Sequence, residues 1–141
     1  MAGNVAEISG AIGYVEYAYA KQVHLSYAKL VNEAGQFVEP GLESLCAAAA
    51  NADWENAAKN NYYILFLDSP GAASWPITAR TFVLFYKNPL DAKATSDAFK
   101  FFKWCFEKGE QLAIGLDYVP LPENAVKSIE AGWKNIRGSG M

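Results

Sequence analysis

Ser74-Trp75-Pro76-Ile77-Thr78-Ala79-Arg80-Thr81-Phe82-Val83-Leu84-Phe85-Tyr86 decides the fold. Pro76 fixes its own φ and drives Trp75 towards an extended backbone. From residue 80 to residue 86 almost every side chain is aromatic or β-branched, the types that suit a pleated, packed surface. The run is continuous rather than alternating, which predicts a strand covered on both faces, as in the middle of an α/β sheet. Asn88-Pro89 ends it.

Working back from there, residues 62–67 (Tyr-Tyr-Ile-Leu-Phe-Leu) predict a second strand, closed by the turn residues Asp68-Ser69-Pro70-Gly71. Residues 69–72 suit either a plain turn or a nest of backbone N–H groups able to hold an anion. Upstream, Leu42, Leu45, Cys46 and Ala49 form one apolar stripe, so a helix follows Pro40-Gly41 and ends near residues 51–53. Trp54 opens a less regular link. Residues 25–31 predict a strand, with Ala34-Gly35 as its turn and Phe37-Val38 as its return. Residues 12–15 predict a short strand in which Gly13 permits close backbone approach, and residues 18–22 a helical turn.

Downstream, Ala98, Phe101, Phe102, Cys105 and Phe106 make the apolar face of a helix over 91–109, with Lys100, Lys103, Glu107 and Lys108 on its wet side. Gly109 suits a break, after which residues 110–114 resume the helix. Residues 117–122 form a proline-stiffened loop, and Pro122 suits the first turn of a last helix. Val126, Ile129, Trp133 and Ile136 give that helix an apolar stripe that must dock. Strands and helices mix without clean alternation, which predicts an α/β unit with a mixed sheet and flanking helices.

The totals agree with a packed chain. Of 141 residues, 52% are hydrophobic and 19% charged, a balance that excludes disorder and suits one domain. The net charge of -3, with no basic block, excludes a nucleic-acid footprint. No apolar stretch approaches the ~20 residues of a membrane helix. The first residues form no basic, apolar leader, so as written the chain is expected to remain in the cytoplasm. The abrupt start and the Gly138-Ser139-Gly140-Met141 end suggest a fragment or an engineered piece.

Motifs for catalysis are absent. There is no phosphate-binding glycine loop of either common type, no nucleophile elbow and no zinc-protease motif. The single histidine, His24, and the scattered carboxylates select no acid–base pair or metal site. Cys46 and Cys105 lie in apolar helical patterns and are read as free thiols, with a disulfide left open. The residues alone therefore point to a protein that is not an enzyme, with no metal and no cofactor. Tyr14, Tyr17 and Arg80 are the candidates for lining a cleft: two amphipathic rings, and a guanidinium able to pair with an anion or a carboxylate.

Several of these stretches, in this order, resemble the C-terminal half of the periplasmic phosphate-binding proteins of phosphate ABC transporters. They are residues 10–20, Ala52-Asp53-Trp54, Ser74-Trp75-Pro76-Ile77-Thr78 with Thr81-Phe82, Phe101-Phe102-Lys103-Trp104, residues 116–122 and Trp133-Lys134-Asn135-Ile136. The resemblance covers almost the whole chain. It implies part of a type II binding-protein fold, in which two hinged lobes close on a dehydrated phosphate that then passes to a membrane permease. It places residues 1–76 at the end of the second lobe and 77–141 in the C-terminal part of the first, with a crossing near 75–81. It also implies a periplasmic address.

In that family the loops, Asp and Arg that grip phosphate lie in the N-terminal half, so no phosphate ligand carries over to this chain. Binding of phosphate or arsenate by these residues alone is not expected. Incomplete lobes leave strand edges and helix faces bare, which predicts completion by self-association into a homo-oligomer or by another chain. The alternative function is a ligand-free structural or interaction module that forms a homo-oligomer.

Overall fold

A computed structural model describes residues 1–139. In chain order the elements are α1 (Ala2–Glu7), α2 (Tyr17–Gln22), β1 (Leu30–Val31), β2 (Phe37–Val38), α3 (Leu42–Ala50), α4 (Trp54–Lys59), β3 (Phe66–Leu67), β4 (Ile77–Thr78), α5 (Ala92–Lys108), α6 (Glu110–Gly115) and α7 (Glu123–Trp133). The class is mixed α and β. In place of the expected single mixed sheet, there are two separate two-stranded antiparallel sheets among the described residues, β1–β2 and β3–β4.

The β1–β2 hairpin pairs Leu30 with Val38 and Val31 with Phe37. Its turn closes through Gly35 N to Asn32 O (2.8 Å), with Gly35 at φ 72°. That left-handed backbone is the reason for a glycine there. Asn32, buried at the base of the turn, ties the hairpin to the loop before Trp75. Its Nδ2 donates to the carbonyls of Gly71 (3.1 Å), Ala72 (3.0 Å) and Ser74 (3.1 Å), while its Oδ1 accepts from Gln36 N (3.0 Å). Residues 69–72 therefore turn carbonyls, not N–H groups, towards their neighbour, which is the plain turn. The Ser74 side chain is fully buried and donates to Pro70 O at 2.6 Å.

β3 and β4 pair Phe66 with Thr78 and Leu67 with Ile77. Around β3 the side chains alternate. Tyr62, Ile64 and Phe66 turn inward, whereas Tyr63, Leu65 and Leu67 stay exposed, and Ile77 lies opposite Leu67 on that bare face. Residues 80–86 are not the doubly covered strand that the sequence predicts. They form no strand and pair with no neighbour among the described residues, and Phe82, Val83, Leu84 and Tyr86 are all exposed. An apolar run signals that both faces can be covered, but a strand also needs a neighbouring ladder. Residues 12–15 fail as a strand for the same reason, with Ile12 97% exposed.

Two packed clusters hold the chain together. The first contains Ala49, Trp54, Ala57, Phe66 and Ala125, with Tyr62, Ile64, Leu121 and Ile129 packed against it. Trp54 stands edge-on to Phe66 at 5.5 Å and donates from its indole to Ala49 O (2.8 Å). Trp54 thus opens a helix, α4, rather than a link, because the Asp53 carboxylate caps it by accepting from Asn56 N (3.1 Å). The second cluster joins Phe85, Phe99, Phe102, Phe106 and Trp133 through ring contacts of 4.6–6.0 Å. Helix α7 runs between the clusters, with Ala125 and Ile129 in the first and Trp133 in the second.

Candidate functional site

The three cleft candidates lie in different surroundings. Tyr14 sits in the extended segment before α2 and is 83% exposed. Tyr17, the first residue of α2, is half-buried and meets Tyr27 edge-on at 6.0 Å. It lines a cleft of about 110 Å³ together with Lys21, Leu42, Ile114, Asp117 and Tyr118. Arg80 stands apart from these lining residues, where the chain leaves β4.

In the cleft, Lys21 Nζ is paired with the Asp117 carboxylate. That hydrogen bond, with the carboxylate charge behind it, raises the Lys21 pKa. Beside the pair, Glu16 raises the Tyr118 pKa through its negative charge and a hydrogen bond. One cation facing one carboxylate leaves little net field, so the cleft does not attract an anion. Neither Lys21 nor Asp117 stands out in the sequence. Each is an ordinary charged residue, and 96 residues separate them.

Arg80 is held by its surroundings. Its Nη2 donates to Tyr62 O at 2.7 Å, and its guanidinium lies over the rings of Phe66 (4.8 Å) and Phe82 (4.3 Å). Both rings attract a cation through their faces. Burial lowers the Arg80 pKa, and it has no carboxylate partner among the described residues.

The remaining reactive groups form no centre. His24 is exposed. Both cysteines are half-buried and free, so the disulfide does not form. Cys46 Sγ faces Pro120 O at 3.9 Å, and burial pushes its thiol pKa up. Among the described residues no group of three or more His, Cys, Asp or Glu side chains is placed to hold a metal ion. No helix there is long and apolar enough to cross a membrane.

No family model matches the chain. Individual relatives do. It is 48% identical over 134 residues to the phosphate-binding protein PstS of Pasteurella multocida, which covers 95% of this chain and 38% of that protein. It is 50% identical over 133 residues to PstS of Xylella fastidiosa, covering 94% and 36%. With PstS of Haemophilus influenzae the identity is 42% over 134 residues, covering 95% and 40%. The chain thus spans well under half the length of these relatives. Over nearly all of its own length, the chain is homologous to a part of the phosphate-binding protein PstS.

Proposed function

We propose that this chain is the C-terminal portion of a two-lobed phosphate receptor that delivers phosphate or arsenate to the membrane permease of an ABC-type importer, with the periplasm as its working compartment. Identity of 42–50% to PstS over about 95% of the chain is the observation that carries this reading. On this reading the protein is a binding module and not an enzyme.

Residues 1–76 close the second lobe and residues 77–141 contribute to the first, with the crossing at 75–81. Residues 77–80 stay on the first cluster through the β3–β4 pairing and Arg80 over Phe66, and the chain reaches the second cluster at Phe85. The grip on phosphate comes from the portion of the receptor that this chain does not span. Of the three candidates only Tyr17 lines the cleft, Tyr14 and Arg80 lie outside it, and on this reading none of them holds the anion. The charge-balanced Lys21–Asp117 cleft and the ring-covered Arg80 both fit that assignment.

Reconstitution tests the reading. The chain is co-expressed with the N-terminal portion of the Pasteurella protein and the two are purified together. A one-to-one complex that binds phosphate supports it; failure of the halves to associate removes it.

The bare sheet face of Tyr63, Leu65, Leu67 and Ile77, with exposed Leu84 and Tyr86, favours a second reading. A ligand-free interaction module would bury that face in a homo-oligomer. Light scattering at micromolar concentration separates the two: a stable oligomer without oxyanion binding favours the module, and a monomer excludes it.

A further inference from the structure

We infer that residues 81–86 are a docking edge for the rest of the receptor, which adds an extended strand along them and covers their bare face. This rests on the receptor reading above and names the segment through which its two portions join.

The segment is held in place but has no ladder. Residues 81–86 (Thr-Phe-Val-Leu-Phe-Tyr) make no backbone–backbone hydrogen bond among the described residues. Side chains fix it near both ends. Arg80 bonds Tyr62 O and lies over Phe66 and Phe82, and Phe85 stacks on Phe99 and stands edge-on to Phe102 at 5.9 Å. Just beyond, Lys87 O accepts from Arg137 N at 2.9 Å. Phe82, Leu84 and Tyr86 are exposed, and in a strand these alternate residues share one face. An open groove of about 340 Å³ lies along Leu84, Phe85 and Tyr86.

The neighbouring strand β3 cannot fill that place. The β3–β4 register sets Phe66 opposite Thr78 and Leu67 opposite Ile77. Carried on, it sets Tyr62 opposite Phe82, Asn60 opposite Leu84 and Ala58 opposite Tyr86. Asn61 and Tyr62 have left-handed backbones, at φ 53° and 61°, and Ala58 lies within α4. The antiparallel ladder therefore ends before residue 82. Nor is the segment built as a free edge. Natural edges are guarded by Lys, Pro or a bulge, whereas residues 81–86 hold no charge, no proline and no glycine.

The relatives indicate the occupant. This chain corresponds to 36–40% of their length, so in them the remainder is tethered to these same residues on one polypeptide. Tethering gives the remainder a higher effective concentration at this edge than a second copy has.

Amide hydrogen exchange, read by mass spectrometry on the 141-residue chain alone and in complex with the remaining portion of the Pasteurella protein, tests this. Amides of residues 82–86 should exchange freely in the chain alone and slow in the complex. Val83 and Leu84 turn their N–H groups to opposite edges of a strand, so Val83→Pro and Leu84→Pro probe both edges. At least one should weaken the complex by about tenfold, the scale of one lost hydrogen bond. Leu84→Lys, which sets a charge on the covered face, should weaken it as well. Both positions are exposed and unbonded, so urea midpoints of the free chain should stay unchanged. A complex in which residues 82–86 still exchange freely, or which none of the variants weakens, would overturn the inference and leave the receptor reading standing. Protection already present in a self-associated free chain would make a second copy the occupant and overturn it too. Failure of the two portions to associate would remove the receptor reading and this inference with it.

Discussion

Phe85 stacks on Phe99, with ring centroids 4.6 Å apart and planes inclined by 23°. Phe99 is fully buried, and Phe85 is the one apolar side chain of residues 80–86 turned into a packed cluster. Truncating Phe99 removes the centre of the second cluster. Phe99→Ala should cost about 3–5 kcal/mol, the range for a buried aromatic, while Leu84→Ser, at 90% exposure, should change stability by less than about 0.5 kcal/mol. Urea denaturation midpoints of the two variants decide this.

Asn32 holds three carbonyls with one amide. Removing it leaves Gly71 O, Ala72 O and Ser74 O without that donor in a partly dry site. Asn32→Ala should lose about 2–3 kcal/mol, more than one ordinary hydrogen bond, because buried acceptors are left unpaired. The same denaturation series reads it. Protease cleavage within residues 69–74 should rise in parallel, since that loop loses its anchor.

Gly132 lets Tyr62 lie against α7. A Cβ at Gly132 would come within 2.7 Å of Tyr62 Cε2, too close for either to stay in place. The Tyr62 hydroxyl also donates to Ser128 O on the same helix. Gly132→Ala should therefore destabilise by about 1–3 kcal/mol despite its better helix propensity. Combined with Tyr62→Ala, its cost should fall well below the sum of the singles. Additive costs would mean that the ring does not meet α7.

Asp53 caps α4, and the Asn56 backbone N–H holds its carboxylate below the usual range. A depressed carboxylate contributes stability that is present above its unfolded pKa and lost as pH falls through the lower folded value. Thermal midpoints should therefore drop as pH falls below about 4, the ordinary range for Asp. Asp53→Asn should flatten part of that drop. Glu123, lowered by its bond to Lys127, keeps the remainder.

Local chemistry was the legible part. Gly35 in its hairpin turn, Asp68 to Gly71 as a turn, Gly109 between two helices and Pro122 before α7 all act as their residue types require. What failed was anything that depends on a neighbour. The aromatic run at 80–86 has the composition of a central strand, but composition does not supply the ladder beside it. The β3 segment reads as a plain apolar run, yet only Tyr62, Ile64 and Phe66 face the core. Asp53 is a cap residue by type, but Trp54 after it breaks the apolar pattern, so the helix α4 shows only in the fold. Lys21 and Asp117 carry no signal at all, because an ion pair across 96 residues is created by the fold. Arg80 is legible only by its charge, because the rings of Phe66 and Phe82 that cover it are brought there by the fold.

The central claim is that these residues belong to the frame of a phosphate receptor and do not supply its grip. Calorimetric titration of the 141-residue chain with phosphate, and then with arsenate, tests that most directly. The account predicts no saturable heat at micromolar anion. Saturable micromolar binding by the chain alone would contradict it and would place phosphate-gripping groups within these residues.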